Sequence, residues 1–158
     1  QGEKYAVDVH GTLVSSGGTA GYCVISLPAK TPYSIYYLQA LLTSRPLEWI
    51  SSLYGEIFRG GFIARGTKVL KQLPFRAIDF NDQNDKKLHD DISALQRELI
   101  SIGDRIIKAG NNNRALTPLK RNFSNKKSEM EALIQKLFSL TEEEYYQIPK
   151  ISEIYATI

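Results

Sequence analysis

The sequence predicts an α+β fold, with a small mixed α/β domain over residues 1–80 followed by an antiparallel helical hairpin over residues 81–158. Before residue 80, short segments rich in β-branched and aromatic residues alternate with helical segments. After it come two long segments with apolar stripes, separated by a loop rich in asparagine. The hydrophobic share of 42% is that of a globular chain able to bury a core.

The first half is predicted to alternate strands and helices in the order β-β-α-α-β-α-β. Strands are predicted at residues 4–9, 21–27, 62–64 and 75–80, where glycine or proline interrupts β-type composition, with a polar loop between the first two. Helices are predicted over 32–43 and 46–57, because apolar residues recur there at three- and four-residue steps, and over 67–72. Pro46 suits a first helical turn.

The second half is predicted to form two packed helices, at about 85–108 and 119–138, joined by a loop over 109–118. The first has a heptad seam with spacings of 4, 3, 4, 3 and 4, formed by Leu88, Ile92, Leu95, Leu99, Ile102 and Ile106. Asn81, Asp82 and Asp85 are candidate caps for its start. Thr141 and Glu144 have the spacing of a capping box for a last short helix.

Composition restricts the class of protein. The net charge of +3 and pI of about 8.9 are mildly basic, which alone does not establish a nucleic-acid partner. A single cysteine, Cys23, excludes an internal disulfide and a cysteine-cluster metal site, and favours a cytoplasmic location. No apolar run reaches the roughly 18 residues of a membrane span, so no membrane partner is predicted. Because the chain begins with Gln1, we expect a fragment of a longer protein.

A basic segment lies between Arg45 and Arg76, where six basic residues accompany two acidic ones. Gly60 and Gly61 lie within it and would let the backbone approach another molecule closely. This combination is a candidate footprint for a polyanion. The alternative is a solvated surface with a turn.

The sequence offers no convincing catalytic site. Residues 61–68, GFIARGTK, resemble a phosphate-binding loop only superficially, because Thr67 precedes Lys68 instead of following it. Cys23 lies in a predicted apolar strand, where a buried and inert thiol is usual. His89 is predicted on the polar side of the heptad helix, without the further ligands that a metal would need. The isolated chain is therefore predicted to be catalytically silent and free of metal.

Five segments, taken in order, resemble a known family: LLTS at 41–44, FRGGFIAR at 58–65, VLKQLP at 69–74, LHDDISALQRELISI at 88–102 and LIQKLFSLTEEEY at 133–145. They look like the TaqI-like carboxy-terminal specificity domain of adenine-specific DNA methyltransferases and of fused restriction-modification enzymes. In that family a leucine-rich helix leads to a Gly-Gly-aromatic segment, matched by Gly60 and Gly61, and to a short helix closing in Leu-Pro, matched by Pro74. The resemblance covers roughly residues 36–147.

This resemblance implies a target recognition domain whose partner is double-stranded DNA. The parent enzyme would carry a methyltransferase domain, alone or fused to a nuclease, that binds S-adenosylmethionine. This chain has neither the cofactor-binding glycine motif nor the Asn/Asp-Pro-Pro-aromatic motif of such a domain. No cofactor is therefore expected on the chain itself.

The candidate DNA-binding residues follow from the resemblance together with the basic segment. Phosphate contacts are predicted for Arg59, Arg65, Lys68, Lys71 and Arg45, and base contacts for an arginine and for Ser15, Ser16 and Thr19. The alternatives are ion pairs for the arginines, a solvated helix face for the lysines and a loose hairpin tip for the serines and threonine. A different class of function is also open, in which the helical hairpin mediates oligomerisation or protein interaction.

Overall fold

The computed structural model describes residues 5–8, 24–55, 57–58, 62–63, 66–110 and 112–150, and helices dominate them. The helices are α1 (Ile35–Leu42), α2 (Arg45–Tyr54), α3 (Thr67–Leu70), α4 (Gln83–Ala109), α5 (Asn113–Leu137) and α6 (Glu142–Gln147). Two strands of two residues each, β1 (Ile57–Phe58) and β2 (Phe62–Ile63), pair antiparallel, with Ile57 opposite Ile63. No other strand is present in the described ranges.

The predicted α+β fold is therefore wrong, because the described part of the chain is a helical assembly. Residues 5–8, 24–27 and 75–80, expected in strands, are irregular. In the 75–80 segment, two backbone groups are satisfied by tyrosine side chains from α1 and the residues before it. The Tyr37 hydroxyl donates to the Arg76 carbonyl at 3.0 Å, and the Ile78 amide donates to the Tyr33 hydroxyl at 2.9 Å. Expected strand residues 4, 9, 21–23 and 64 lie outside the described residues, whereas residues 62–63 form β2 as predicted.

Helices α1 and α2 begin at serine caps and bury their apolar sides. The Ser34 hydroxyl accepts from the Tyr36 amide at 3.2 Å, which satisfies one of the free amides at the start of α1. Pro46 lies in the first turn of α2, where its missing amide costs nothing. The two helices pack together, and α1 also packs along α4. Both helices predicted here are present with shorter bounds.

Helix α4 begins and ends at residues suited to those positions. The Asp82 carboxylate accepts from the Asn84 and Asp85 amides at 2.7 and 2.9 Å, so one of the three proposed caps forms the cap. Gly110 follows the helix with φ +54° and ψ −123°, a conformation that favours glycine. The seam residues Leu88, Ile92, Leu95, Leu99 and Ile102 are all buried.

Helix α5 begins at Asn113, six residues before the predicted start, so the loop predicted over 109–118 is mostly wrong. Pro118, which was read as a loop signal, lies inside the helix. The Asn112 side chain caps α5 by accepting from the Ala115 amide at 3.3 Å, so an asparagine that favoured a loop also starts the helix. Helices α4 and α5 pack against each other.

One hydrophobic core joins both halves of the chain. The Thr141–Glu144 capping box forms and starts α6, which buries Tyr145 in that core. The core also contains Tyr37 and Leu41 of α1 and Ile92 of α4. Its remaining members, from α2, the 75–80 segment and α5, include Leu47, Ile78, Met130, Ile134 and Leu137. The early helices therefore do not bury a separate core of their own.

Candidate nucleic-acid interface

Helix α3 and the residue directly after it carry the two predicted DNA-binding lysines that the structure describes, Lys68 and Lys71. The helix is a single turn whose Val69 is buried, and it packs against α2. This anchoring leaves Lys68 and Lys71 exposed. Neither side chain makes an ion pair with another described residue, so both ammonium groups are available to an anion.

The other residues of the predicted Gly-Gly interface lie mostly outside the described residues. This holds for Arg59, Arg65, Gly60 and Gly61, and also for the predicted base-reading loop with Ser15, Ser16 and Thr19. The strand pair β1–β2 flanks the Gly-Gly segment on both sides. The two strands are antiparallel, with Phe58 opposite Phe62.

A cleft of about 470 Å³ lies between α1, α3 and the segment after α3. Its lining is mainly apolar and comprises Val24, Ile25, Leu38, Leu41, Leu42, Leu47, Leu70, Leu73, Pro74 and Phe75, with Ser26, Thr67 and Lys71 as the polar members. Pro74 is thus an exposed wall residue of this cleft. A phosphate would gain little from the apolar lining, so the ammonium group of Lys71, and not the cleft floor, is the group suited to an anion.

Arg45 is hydrogen-bonded to the main chain at the end of α6. Its guanidinium donates to the main-chain carbonyls of Ile148 and of Tyr146, the latter at 3.0 Å, and it lies 5.4 Å from the Tyr145 ring centroid. Its Nη1 atom is buried, without a hydrogen-bond partner among the described residues. A cation suits the carbonyl end of a helix. Arg45 thus has a role in the fold that the sequence did not indicate, and its predicted phosphate contact remains untested.

His89 is not on a polar helix side as predicted. It is 3% exposed, with Tyr33, Tyr37 and Phe80 around its ring. Its Nε2 accepts from the Ser34 amide at 3.1 Å, which places the proton on Nδ1, 2.9 Å from the Asp90 carboxylate. Both ring nitrogens are used, so the ring fixes the start of α1 and is not free to act as a base.

Asp90 is held in its charged form by the same contacts. The hydrogen bond from His89, and after it the one from Lys86, lowers the pKa of the Asp90 carboxyl group. Lys86 Nζ lies 3.0 Å from the Asp90 carboxylate. No cluster of three or more potential metal-ligating side chains occurs among the described residues, and none of their helices is long and apolar enough to span a membrane.

Comparison with known proteins gives the chain its context. It is 44% identical over 157 residues to the type II restriction enzyme and methyltransferase RM.Eco57I of Escherichia coli. This chain is homologous to a region of a restriction-modification enzyme. The match covers 99% of the chain and 15% of that enzyme's length.

Two further relatives match a shorter part. The type II methyltransferases M.HincII and M.HindII of Haemophilus influenzae are each 35% identical over 68 residues, which is 43% of the chain and 13% of their length. No family model and no solved structure matches. The predicted relation to restriction-modification methyltransferases is thus confirmed at that level, whereas membership of the TaqI-like specificity family stays a prediction.

Proposed function

We propose that this chain is the DNA target-recognition module of a restriction-modification enzyme that methylates adenine, with or without a fused nuclease. The observation that carries the proposal is the homology of nearly the whole chain to 15% of a restriction and methyltransferase enzyme. The sequence has neither of the two methyltransferase motifs expected for catalysis. A region of such an enzyme without those motifs fits DNA selection better than chemistry.

The shorter relatives support the same function. Part of the chain resembles proteins named as methyltransferases, and the whole chain resembles one named as both restriction enzyme and methyltransferase. Selecting a DNA sequence is a task that both kinds of enzyme share, whereas cleavage is not. In this proposal residues 1–80 carry the recognition surface and residues 81–158 the helical hairpin that supports it.

The proposed phosphate contacts are made by Lys68 of α3, by Lys71 directly after it, and by Arg59 and Arg65, which come before and after the Gly60-Gly61 pair in the sequence. The exposed and unpaired state of the two lysines supports this role. Base reading is assigned to the Ser15–Thr19 loop and to an arginine, because an arginine side chain pairs with guanine through two hydrogen bonds. S-adenosylmethionine would bind to the methyltransferase domain of the parent enzyme.

The alternative of an oligomerisation module receives less support. An intermolecular coiled coil would need the heptad seam of α4 to be available to another chain. Its residues Leu88, Ile92, Leu95, Leu99 and Ile102 are instead buried within this chain. The seam is used in packing α4 against α1 and α5.

The proposal is tested by fluorescence-anisotropy titration of the chain with a labelled random duplex at several salt concentrations. We expect salt-dependent binding, and a decrease of about 2 in the slope of log K against log salt for Lys68→Ala/Lys71→Ala. The matched control is Lys86→Ala/Lys87→Ala, which removes two exposed lysines paired with Asp90 and Asp91. The absence of binding at low salt, or an equal effect of both variants, would contradict the proposal.

A further inference from the structure

The amino-terminal part of α5 has several basic residues and no acidic residues. Residues 113–128, NRALTPLKRNFSNKKS, contain five of the chain's 20 basic residues and none of its 17 acidic residues. The whole stretch lies within a helix, so its side chains have a fixed arrangement. The first acidic residue after it is Glu129.

The helical period divides this stretch into two faces. Leu116 and Met130 are buried, and Phe123 packs against the core. The opposite side has Arg114, Thr117, Arg121, Ser124 and Ser128 at steps of three and four residues, and all are exposed. Lys120 and Lys127, seven residues apart, are also exposed and lie on the flank between this row and the buried side. We call Arg114, Lys120, Arg121 and Lys127 the basic face of α5.

The basic face differs from several other cations of the helix pair, which have partners within the fold. Lys86 and Lys87 pair with acidic residues one turn away on α4. Arg97 lies 4.7 Å from the ring centroid of Tyr36. Within the described residues, the four side chains of the basic face make no hydrogen bond, ion pair or ring contact.

Lys126, the fifth basic residue of the stretch, is paired with acidic residues. It lies 3.1 Å from Glu98 of α4 and 3.1 Å from Glu129, and it is only 28% exposed. The hydrogen bonds that Lys126 donates to Glu129 and, with a smaller effect, to Glu98 raise the pKa of its ammonium group. Glu98 and Glu129 therefore pair with Lys126 and do not neutralise the charge of the basic face.

We propose that the basic face of α5 binds the sugar-phosphate backbone of duplex DNA, beyond the bases that the recognition segment reads. The inference rests on the proposed function, because it assumes that the chain binds DNA. From Arg114 to Lys127 the helix rises about 20 Å, which corresponds to about six phosphates along one strand. Charge complementarity identifies a linear polyanion as the partner, since these four cations have no counter-charge within the described structure. Such contacts fix the position of a module on DNA and contribute affinity without sequence preference.

The test compares two variants that lose the same charge. The basic-face variant is Arg114→Gln/Lys120→Gln/Arg121→Gln/Lys127→Gln, and the control is Lys30→Gln/Lys86→Gln/Lys87→Gln/Lys136→Gln, whose four lysines are also exposed. Thermal melting followed by circular dichroism confirms that both fold. Each is titrated with the same labelled random duplex from low to moderate salt.

We expect the basic-face variant to reduce the slope of log K against log salt by about 3 to 4, and the control by less than 1. If the basic-face variant keeps the slope of the unmodified chain while Lys68→Ala/Lys71→Ala reduces it, the inference is wrong and the proposed function stands. Equal losses in the two four-site variants would show a general effect of net charge and also overturn the inference. Failure of the unmodified chain to bind any duplex at low salt overturns both.

Discussion

At the scale of single residues, burial of the Tyr145 hydroxyl makes the free energy of unfolding depend on pH in the alkaline range. Burial, and to a lesser extent Glu131, raises the pKa of Tyr145 to about 12, against the opposing effect of Arg45. Burial also raises the pKa of Tyr37. Because these folded-state values exceed the value of about 10 in the unfolded chain, the stabilisation is complete below pH 10 and is lost as the pH rises from 10 towards 12.

We therefore expect the free energy of unfolding to fall above pH 10, with Tyr145 contributing about 2 kcal/mol to the loss by pH 12. Urea unfolding from pH 8 to 12 measures it. Tyr145→Phe, which removes one of the two titrating groups, should reduce the loss by about that amount and leave the part due to Tyr37. Tyr146→Phe is the control, because Tyr146 is 56% exposed. A profile that Tyr145→Phe leaves unchanged would show that another group causes the alkaline loss.

Single residues also show where sequence reasoning fails. His89 directly follows the seam residue Leu88, and a strict heptad pattern assigns it to the solvent side. The structure packs α4 against α1 as well as α5, which widens the buried face and encloses His89 and Ser93. A heptad seam predicted for two packed helices does not show that a third helix also packs against one of them. The same holds for Arg45, since its carbonyl partners lie about a hundred residues away along the chain.

At the scale of elements, the end of α4 offers a sharp comparison between two glycines. Gly110 has φ +54°, whereas Gly103 lies within the helix, and a Cβ atom would meet nothing within 4 Å at either position. Only backbone preference thus distinguishes the two substitutions. We expect Gly110→Ala to destabilise the chain by about 1 to 3 kcal/mol and Gly103→Ala to stabilise it by about 0.5 to 1 kcal/mol. Urea unfolding of both variants measures this, and a change of the same sign in both would contradict it.

The helices were largely predictable, whereas of the predicted strands only 62–64 coincides with an observed one, β2. Apolar periodicity located α1, α2 and α4 because each buries one side against a neighbour. The segment 75–80 has strand-like composition, yet its buried Ile78 packs beside helices and its backbone bonds to Tyr33 and Tyr37. A strand-like composition indicates that a segment is half-buried, but it does not indicate that a partner strand lies beside it. Of the proposed DNA-binding residues, sequence indicated the charge of Lys68 and Lys71, but their freedom from ion pairs required the structure.

At the scale of the whole molecule, a shared core predicts that the two halves unfold together. Ile92 of α4 is fully buried in the cluster that also contains Tyr37 of α1 and Ile134 of α5. The only tryptophan, Trp49, lies on α2 in the first half, whereas the longest helices, α4 and α5, lie in the second. Fluorescence thus reports mainly on the first half, and far-ultraviolet circular dichroism mainly on the second.

We expect urea unfolding curves from the two signals to superimpose, because exposing the core on one side removes packing from the other. Ile92→Ala should lower the free energy of unfolding by about 2 to 5 kcal/mol in both signals equally. Ile107→Ala is the control, since that isoleucine on the same helix is 78% exposed. The fluorescence transition could instead occur at a lower urea concentration than the loss of helical signal, with a midpoint that Ile92→Ala does not change. That result would show that residues 1–80 form an independent domain. Coincident transitions would instead mean that a recognition surface on α3 and the basic face of α5 are held by one cooperative fold, so that DNA bound at one surface stabilises the other.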